Sequence, residues 1–234
     1  TTRNGINRYD GYQFRVFKKE NEHDSSLASN YVNSMMQDKN GLFYFGLYGA
    51  LQTWDGNKFD NVAMLDKDGN AGHCYPNCFL ERSNGDILVG SSGLGLLKFK
   101  NKKTACQVKG PLSSIHTVNS MIEDRMGILW IVTDNLGLIS FDGKTIKQYL
   151  KYDPDIVFTC LCEGLDGIIY AGTTNNGVYR MQSDTFVHID ETGNNSVSAL
   201  FCDHDGMIVI GYDGKGVALY DPRSKEIINN PFFS

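Results

Sequence analysis

The sequence predicts an all-β chain, a β-propeller of four-stranded blades, on three observations. One phrase recurs along it with a period near 40 residues. Each copy splits into short apolar runs separated by turns bearing glycine or aspartate. No window carries the 3.6-residue apolar stripe of a helix. The period is clearest at the glycine after an acidic turn: Gly41, Gly85, Gly127, Gly167 and Gly206, at spacings of 44, 42, 40 and 39. Around these glycines the chain reads YVNSMMQDKNGLFYFG, PNCFLERSNGDILVG, TVNSMIEDRMGILWIV, VFTCLCEGLDGIIYAG and SVSALFCDHDGMIVIG. Four strands in about 40 residues is the signature of a propeller blade. A β-helix coil is too short for this period, and helical repeats would show their stripe.

The opening NGINRYDGYQFRVF matches only the second half of the unit. The expected organisation is one propeller domain over 1–234, with a leading half blade (1–29) and five full blades (30–72, 73–115, 116–154, 155–194 and 195–234). In each blade the first strand alternates, as in Val118, Ser120 and Ile122 against Asn119, Met121 and Glu123. It ends in a tight turn, where Asp supplies local hydrogen bonds and Gly a positive φ. The second strand, ILWIV or IIYAG, is apolar on both faces, so both must be covered. The third and fourth, LGLISFD and TIKQYL, are more polar and suit a solvated outer edge.

The formal charge of −5, with KNKK at 100–103 as the densest basic stretch, excludes a nucleic-acid partner. No apolar run approaches the roughly 18–20 residues that cross a bilayer, and no direct membrane contact is expected. The chain opens on TTRNGINRYDG with neither an initiator Met nor a signal peptide, and reads as an excised segment. Its six cysteines are too sparse for a disulfide scaffold. Cys74-x3-Cys78 and Cys160-x-Cys162 lack a second pair at zinc-site spacing. Cys78 and Cys160 share a repeat position held elsewhere by Ser or Ala, which points to small buried residues.

The pattern V-x-S-[MI]-x-[ED]-D-x-x-G-x-L-W-I-x-T…G-L-x-x-[FY]-D-G, most complete at 118–143, resembles the two-component regulator propeller repeat. The opening NGINRYDGYQFRVFKKENEHDSSLASNYVNSMMQD is similar to that family's run from first blade into second, and the resemblance spans essentially the whole chain. Departures are Val132 at a usual Gly, Gly164 in the acidic turn slot, and the degenerate copy CYPNCFLERSNGDILVG. Trp54-Asp55 sits where WD40 repeats carry their dipeptide, but no copy has the upstream Gly-His. The Asp-box of sialidase-type propellers is missing too. The resemblance implies the periplasmic sensor of a Bacteroides-type hybrid two-component histidine kinase. It implies an oligosaccharide ligand, a homodimeric receptor, and kinase, membrane and response-regulator parts outside this chain. It also makes the 5.5 units part of a seven-bladed propeller.

No catalytic, metal or cofactor site is expected. Asp38, Asp124 and Asp203 hold one turn slot in three copies and read as turn formers. Asp66-x-Asp68-Gly69 and Asp203-x-Asp205-Gly206 resemble fragments of calcium loops without the remaining ligands. His23, His73, His116, His188 and His204 are scattered, and SSGLGL opens a strand rather than a phosphate-binding helix. The alternatives are a polysaccharide lyase or glycoside hydrolase, whose carboxylates come from distant blades, and a purely structural or dimerisation propeller.

Ligand binding is expected where the copies disagree. The loops joining second and third strands should share a face with those entering first strands. The former present Arg3-Asn4, Tyr48, Asp134-Asn135, Thr174-Asn175-Asn176 and Asp213-Lys215. The latter present Asn30-Tyr31, His73, Tyr75, His116 and Asn194-Asn195. Aromatic faces suit sugar C–H surfaces, and amides, carboxylates and cations suit hydroxyls or acidic groups. The candidates are Tyr48, His73, Tyr75, Asn135, Asn175, Asn176, Asp213 and Lys215. The irregular 61–77 segment joins them as a functional loop.

Overall fold

The structure, a computed structural model, describes residues 4–20, 26–150 and 155–229. Among these the only helical segments are two 3₁₀ turns, Gly110–Ser114 and Asp190–Thr192. The chain divides into two compact units, Thr1–Val118 and Asn119–Ser234.

The first unit begins with a two-stranded antiparallel sheet, β1 (Ile6–Tyr9) and β2 (Phe14–Phe17). Two four-stranded meanders follow. One is β3 (Val32–Gln37), β4 (Phe43–Leu47), β5 (Ala50–Trp54) and β6 (Phe59–Leu65). The other is β7 (Tyr75–Glu81), β8 (Ile87–Ser92), β9 (Leu96–Asn101) and β10 (Thr104–Gln107). Their outermost strands β6 and β10 pair in parallel, Ala63 with Thr104 through Leu65 with Cys106, so the two blades share one eight-stranded sheet.

The second unit holds three separate four-stranded antiparallel blades. These are β11 (Val118–Glu123), β12 (Leu129–Thr133), β13 (Leu138–Phe141) and β14 (Ile146–Tyr149); β15 (Phe158–Glu163), β16 (Ile169–Thr173), β17 (Val178–Gln182) and β18 (Thr185–His188); and β19 (Val197–Cys202), β20 (Ile208–Tyr212), β21 (Gly216–Asp221) and β22 (Glu226–Asn229). The fold is a β-propeller, as the repeat predicts.

The recurring aspartate fastens the first-to-second-strand turn in the three blades that carry it, at Asp38, Asp124 and Asp203. Asp124 Oδ1 accepts from the amides of Met126 and Ile128, while its Oδ2 accepts from Trp130 Nε1 at 2.8 Å. Asp38 repeats this with Asn40, Leu42 and the Tyr44 hydroxyl. Where Gly164 empties the slot, Asp166 two residues later accepts from the Ile168 amide and the Tyr170 hydroxyl. The turn is thus kept by a different residue, which the motif alignment does not reveal.

A β-bulge recurs in the first strand, after Val32, Pro76, Phe158 and Val197. At the bulge Asn33 Nδ2 donates to Pro76 O at 3.0 Å, and Thr159 Oγ1 donates to Val197 O at 2.6 Å. Both partners lie in the next blade's first strand, so the bulge aims a polar side chain sideways into its neighbour. Glycine in the second strand lets the neighbour come close. A Cβ on Gly46 would lie 2.7 Å from Pro76 O, and one on Gly172 would lie 2.6 Å from Val197 Cγ1. Val132 takes that place in β12 and is buried among Trp130, Leu138 and Phe158.

The six cysteines are free thiols. Cys78 Sγ packs beside Gly90, and burial pushes its thiol pKa up to about 12. That makes it inert at neutral pH.

The 61–77 segment is not the long irregular loop that the sequence suggests. It is strand through Leu65 and again from Tyr75. Asp66 closes a turn by accepting from the Asp68 and Asn70 amides, and Leu65 bridges to Ala71. β5 pairs with Asn61 and Val62, and β10 with Ala63–Leu65, the second a long-range contact with no local signature.

Candidate functional site

The loops between second and third strands do share a face with those entering first strands, because they hydrogen-bond to one another. Tyr48 N donates to Tyr31 O, Thr174 N to Val157 O, and Asp213 N to Ser196 O. In the first unit this rim carries an open cleft of about 800 Å³, lined by Ser29, Tyr31, Asn33, Leu47, Tyr48, Tyr75 and Asn77. Tyr31 sits just before β3, Tyr48 in the β4–β5 turn, and Tyr75 opens β7. They are 40%, 64% and 44% exposed. The Tyr48 ring lies 4.8 Å from that of Tyr75 and 6.3 Å from that of Tyr31. A hydrogen bond with Tyr48, reinforced by its charge when ionised, raises the Tyr75 pKa above the ordinary phenol value. Tyr75 therefore stays a neutral phenol at physiological pH.

The two amides of the cleft are largely engaged. Asn33 Nδ2 donates to Pro76 O and to Asn77 Oδ1, and Asn77 Nδ2 donates to Ser92 Oγ at 2.9 Å. They fix the floor on which the tyrosines stand. Among the described residues, no Asp, Glu, Lys, Arg or His lines the cleft. The arrangement offers aromatic faces with hydroxyl and amide edges, which suits a ligand with C–H faces and neutral polar groups.

Of the sequence-predicted residues, Tyr48 and Tyr75 come together here. His73 is exposed nearby in sequence but does not line the cleft. The others lie in the second unit. Asn135 lines a separate cleft of about 240 Å³ with Asp134, Gln148 and Leu150. Asn175 and Asp213 are exposed. Asn176 Nδ2 donates to Asp155 O at 3.1 Å, and Lys215 Nζ to Asn195 Oδ1 at 2.6 Å. Both tie loops together. Asn194 does not line the cleft, and Arg3 lies outside the described residues.

The selection missed Ser29, Asn33 and Asn77 and left Tyr31 unranked. A signal existed for the last. Tyr31 and Tyr75 share one repeat position, which the other copies fill with Thr117, Val157 and Ser196, and Tyr48 takes a turn position filled elsewhere by Ser92, Asp134, Thr174 and Asp213. Asn33 and Asn77 look like ordinary strand letters, since the bulge that turns them sideways is invisible in sequence. Among the described residues, no group of three or more His, Cys, Asp or Glu is arranged to hold a metal ion.

The blade repeat with its Asp-tethered turn is matched in known proteins. The family model for the two component regulator propeller matches residues 26–49. That segment runs through β3 and β4 and carries Tyr31 and Tyr48. No curated protein matches the chain. Among solved structures, the chain is similar to the extracellular domain of BT4673 from B. thetaiotaomicron, assigned as a hybrid two component system. The TM-score is 0.69 at 16% identity, over 99% of this chain and 41% of that one. The chain thus spans about two fifths of that domain. It is also similar to virginiamycin B lyase from Staphylococcus aureus, with a TM-score of 0.65 at 13% identity over 86% of this chain and 70% of that one. PorZ, a bacterial surface component of the type-IX secretion system of Porphyromonas gingivalis, gives 0.66 at 14% identity, over 88% and 34%. At these identities the likeness is one of fold. No described helix is long and apolar enough to cross a membrane.

Proposed function

We propose that this chain is part of the extracytoplasmic, periplasmic sensor of a hybrid two-component system. Its tyrosine cleft holds a glycan-derived oligosaccharide, and a kinase elsewhere in the protein receives the signal. The observation that carries the reading is the convergence of Tyr31, Tyr48 and Tyr75 on one open cleft. A group of partly exposed aromatic rings gathered in one groove is the kind of patch that marks a ligand-binding surface. Support for the receptor context is the propeller match at 26–49 and the likeness to the BT4673 extracellular domain. The lyase among the similar structures raises an enzymatic reading, but among the described residues none that lines the cleft is a carboxylate or histidine. The reading here is binding without turnover. Among the described residues no cation lines the cleft, which favours a neutral sugar over an acidic one.

Calorimetric titration of the sensor region with neutral and acidic oligosaccharides tests this. A neutral sugar is expected to bind, and Tyr48→Ala or Tyr75→Ala to weaken it about tenfold or more, the worth of one lost stacking face. A sensor region that binds another ligand class and no sugar overturns the carbohydrate assignment. Unchanged affinity in both variants removes the cleft.

A further inference from the structure

The step from Gly41 to Gly85 is 44 residues, against 40 from Gly127 to Gly167 and 39 from Gly167 to Gly206. The added length goes into β6, which has seven residues where β14, β18 and β22 have four. Its last three, Ala63–Leu65, run past the pairing with β5 and onto β10, and Ala63 N donates to Lys103 O at 2.8 Å. Among the described residues, β14, β18 and β22 pair only with the third strand of their own blade. The outer clasp thus belongs to the joint that carries the tyrosine cleft. The inner tie does not distinguish that joint, since Asn33 to Pro76 O has its counterpart in Thr159 to Val197 O.

The clasp reaches the cleft by two short paths. Met64 stands beside Ala105 in register, and the Cys74 thiol donates to its Sδ at 3.2 Å. Met64 O also accepts from Gly72 N at 2.9 Å, and Lys67 N donates to Gln107 Oε1 of β10 at 3.1 Å. Cys74 is buried and immediately precedes Tyr75. On the other side, Leu51 pairs with Val62 and follows Tyr48 by three residues, across the turn from β4 to β5. Leu51, Val62, Met64, Cys74 and Ala105 belong to one buried cluster. Both rings of the 4.8 Å pair are therefore anchored, within a few residues, on the same packed group. Such interiors are close-packed and transmit displacement.

We infer that the β6–β10 clasp sets the spacing of Tyr48 and Tyr75, with Met64 as the positioning residue, and that a ligand between the rings tightens the clasp in return. This rests on the reading of the cleft as a ligand site. Rings held in place beforehand bind without the entropic cost of ordering them. Coupling between two sites is reciprocal, so the affinity that the clasp lends the cleft is returned by an occupied cleft to the clasp. The outer edge of the two blades is then where occupancy registers.

Photo-oxidative cross-linking of the chain, followed by peptide mapping, reads the ring pair without any ligand, because two phenoxyl radicals couple only when the rings touch. A Tyr48–Tyr75 link is expected. Ala63→Pro removes the donor to Lys103 O at an exposed position, and Met64→Ala removes the contact to Cys74. Each should lower the yield by about half or more, since an opened strand edge frees the segment leading to Tyr75. Met64→Leu keeps the volume and should keep the yield. Gln107→Ala, which removes only the tie to Lys67 N, should lower it less, and serves as the milder variant if Ala63→Pro does not fold. With a mixture of neutral oligosaccharides as probe, Ala63→Pro and Met64→Ala should bind about three- to tenfold more weakly, the worth of one side chain left to be ordered on binding. The same mixture should slow hydrogen exchange of the Ala63–Leu65 amides in the parent chain. An undiminished cross-link in the clasp variants overturns the positioning, whatever the cleft binds. An equal loss in Met64→Leu overturns the part given to Met64. Binding without slower exchange overturns the return coupling. A diminished cross-link in a chain that binds no neutral sugar keeps the positioning and overturns the ligand reading of the cleft instead.

Discussion

At the rim of the first unit Tyr31, Tyr48 and Tyr75 stand partly exposed with their rings in contact, on a floor of Asn33 and Asn77. The rim of the second unit is richer in polar letters, yet much of it is spent on the protein itself. Thr133 and Thr173 each accept an amide three residues on and donate to the glycine carbonyl four residues on. Gln148 Nε2 donates to Leu136 O, Asn176 to Asp155 O, and Lys215 to Asn195. The difference teaches that an amide or lysine in a loop is weak evidence of a ligand, because loop backbone has carbonyls to satisfy. The ring faces of Tyr31, Tyr48 and Tyr75 make no such bond.

This contrast makes predictions that differ in size. The largest effect is expected at Gly177, which holds φ at +57°, and a Cβ there would lie 2.2 Å from Gly193 O and 2.3 Å from Thr192 Oγ1. Gly177→Ala should cost at least about 3 kcal/mol, from left-handed strain plus a backbone clash. Urea denaturation reads it, and a loss below about 1 kcal/mol would show that the second rim yields easily. Next comes Thr192, whose buried Oγ1 accepts from Val178 N at 2.9 Å and donates to Ile189 O at 2.7 Å. Thr192→Val keeps the shape but leaves that buried amide unpaired, at about 2 kcal/mol. The same denaturation curves check it, and an unchanged midpoint would mean the amide finds another partner. The smallest stability effect is expected at Tyr48, where Tyr48→Ala should stay within about 0.5 kcal/mol of the parent, as exposed substitutions do. A stability loss near that of Thr192→Val would make Tyr48 a structural residue and blunt the contrast between the rims.

Much of the scaffold was legible because it is written five times. The recurring Asp and Gly were read as turn formers, and they hold the turns by local hydrogen bonds that need only a few neighbouring residues. Gly164 looked like a lost tether, and the nearby Asp166 restored it. The cleft was legible in part. Tyr48 and Tyr75 stood out because aromatics are not turn residues, whereas Asn176 and Lys215 carried the right chemistry for a ligand and were already engaged.

The sequence by itself determined the all-β class, the blade unit and its turns, since periodicity and turn chemistry act within one repeat. Only the tertiary structure decided what depends on residues about 40 apart. It joined β6 to β10 in parallel, which turned an expected loop into strand. It used the recurring bulge to send Asn33 and Thr159 into the next blade. It also brought three tyrosines from separate loops to one cleft. Those outcomes rest on how one blade lies against the next, a packing relation that no single repeat encodes.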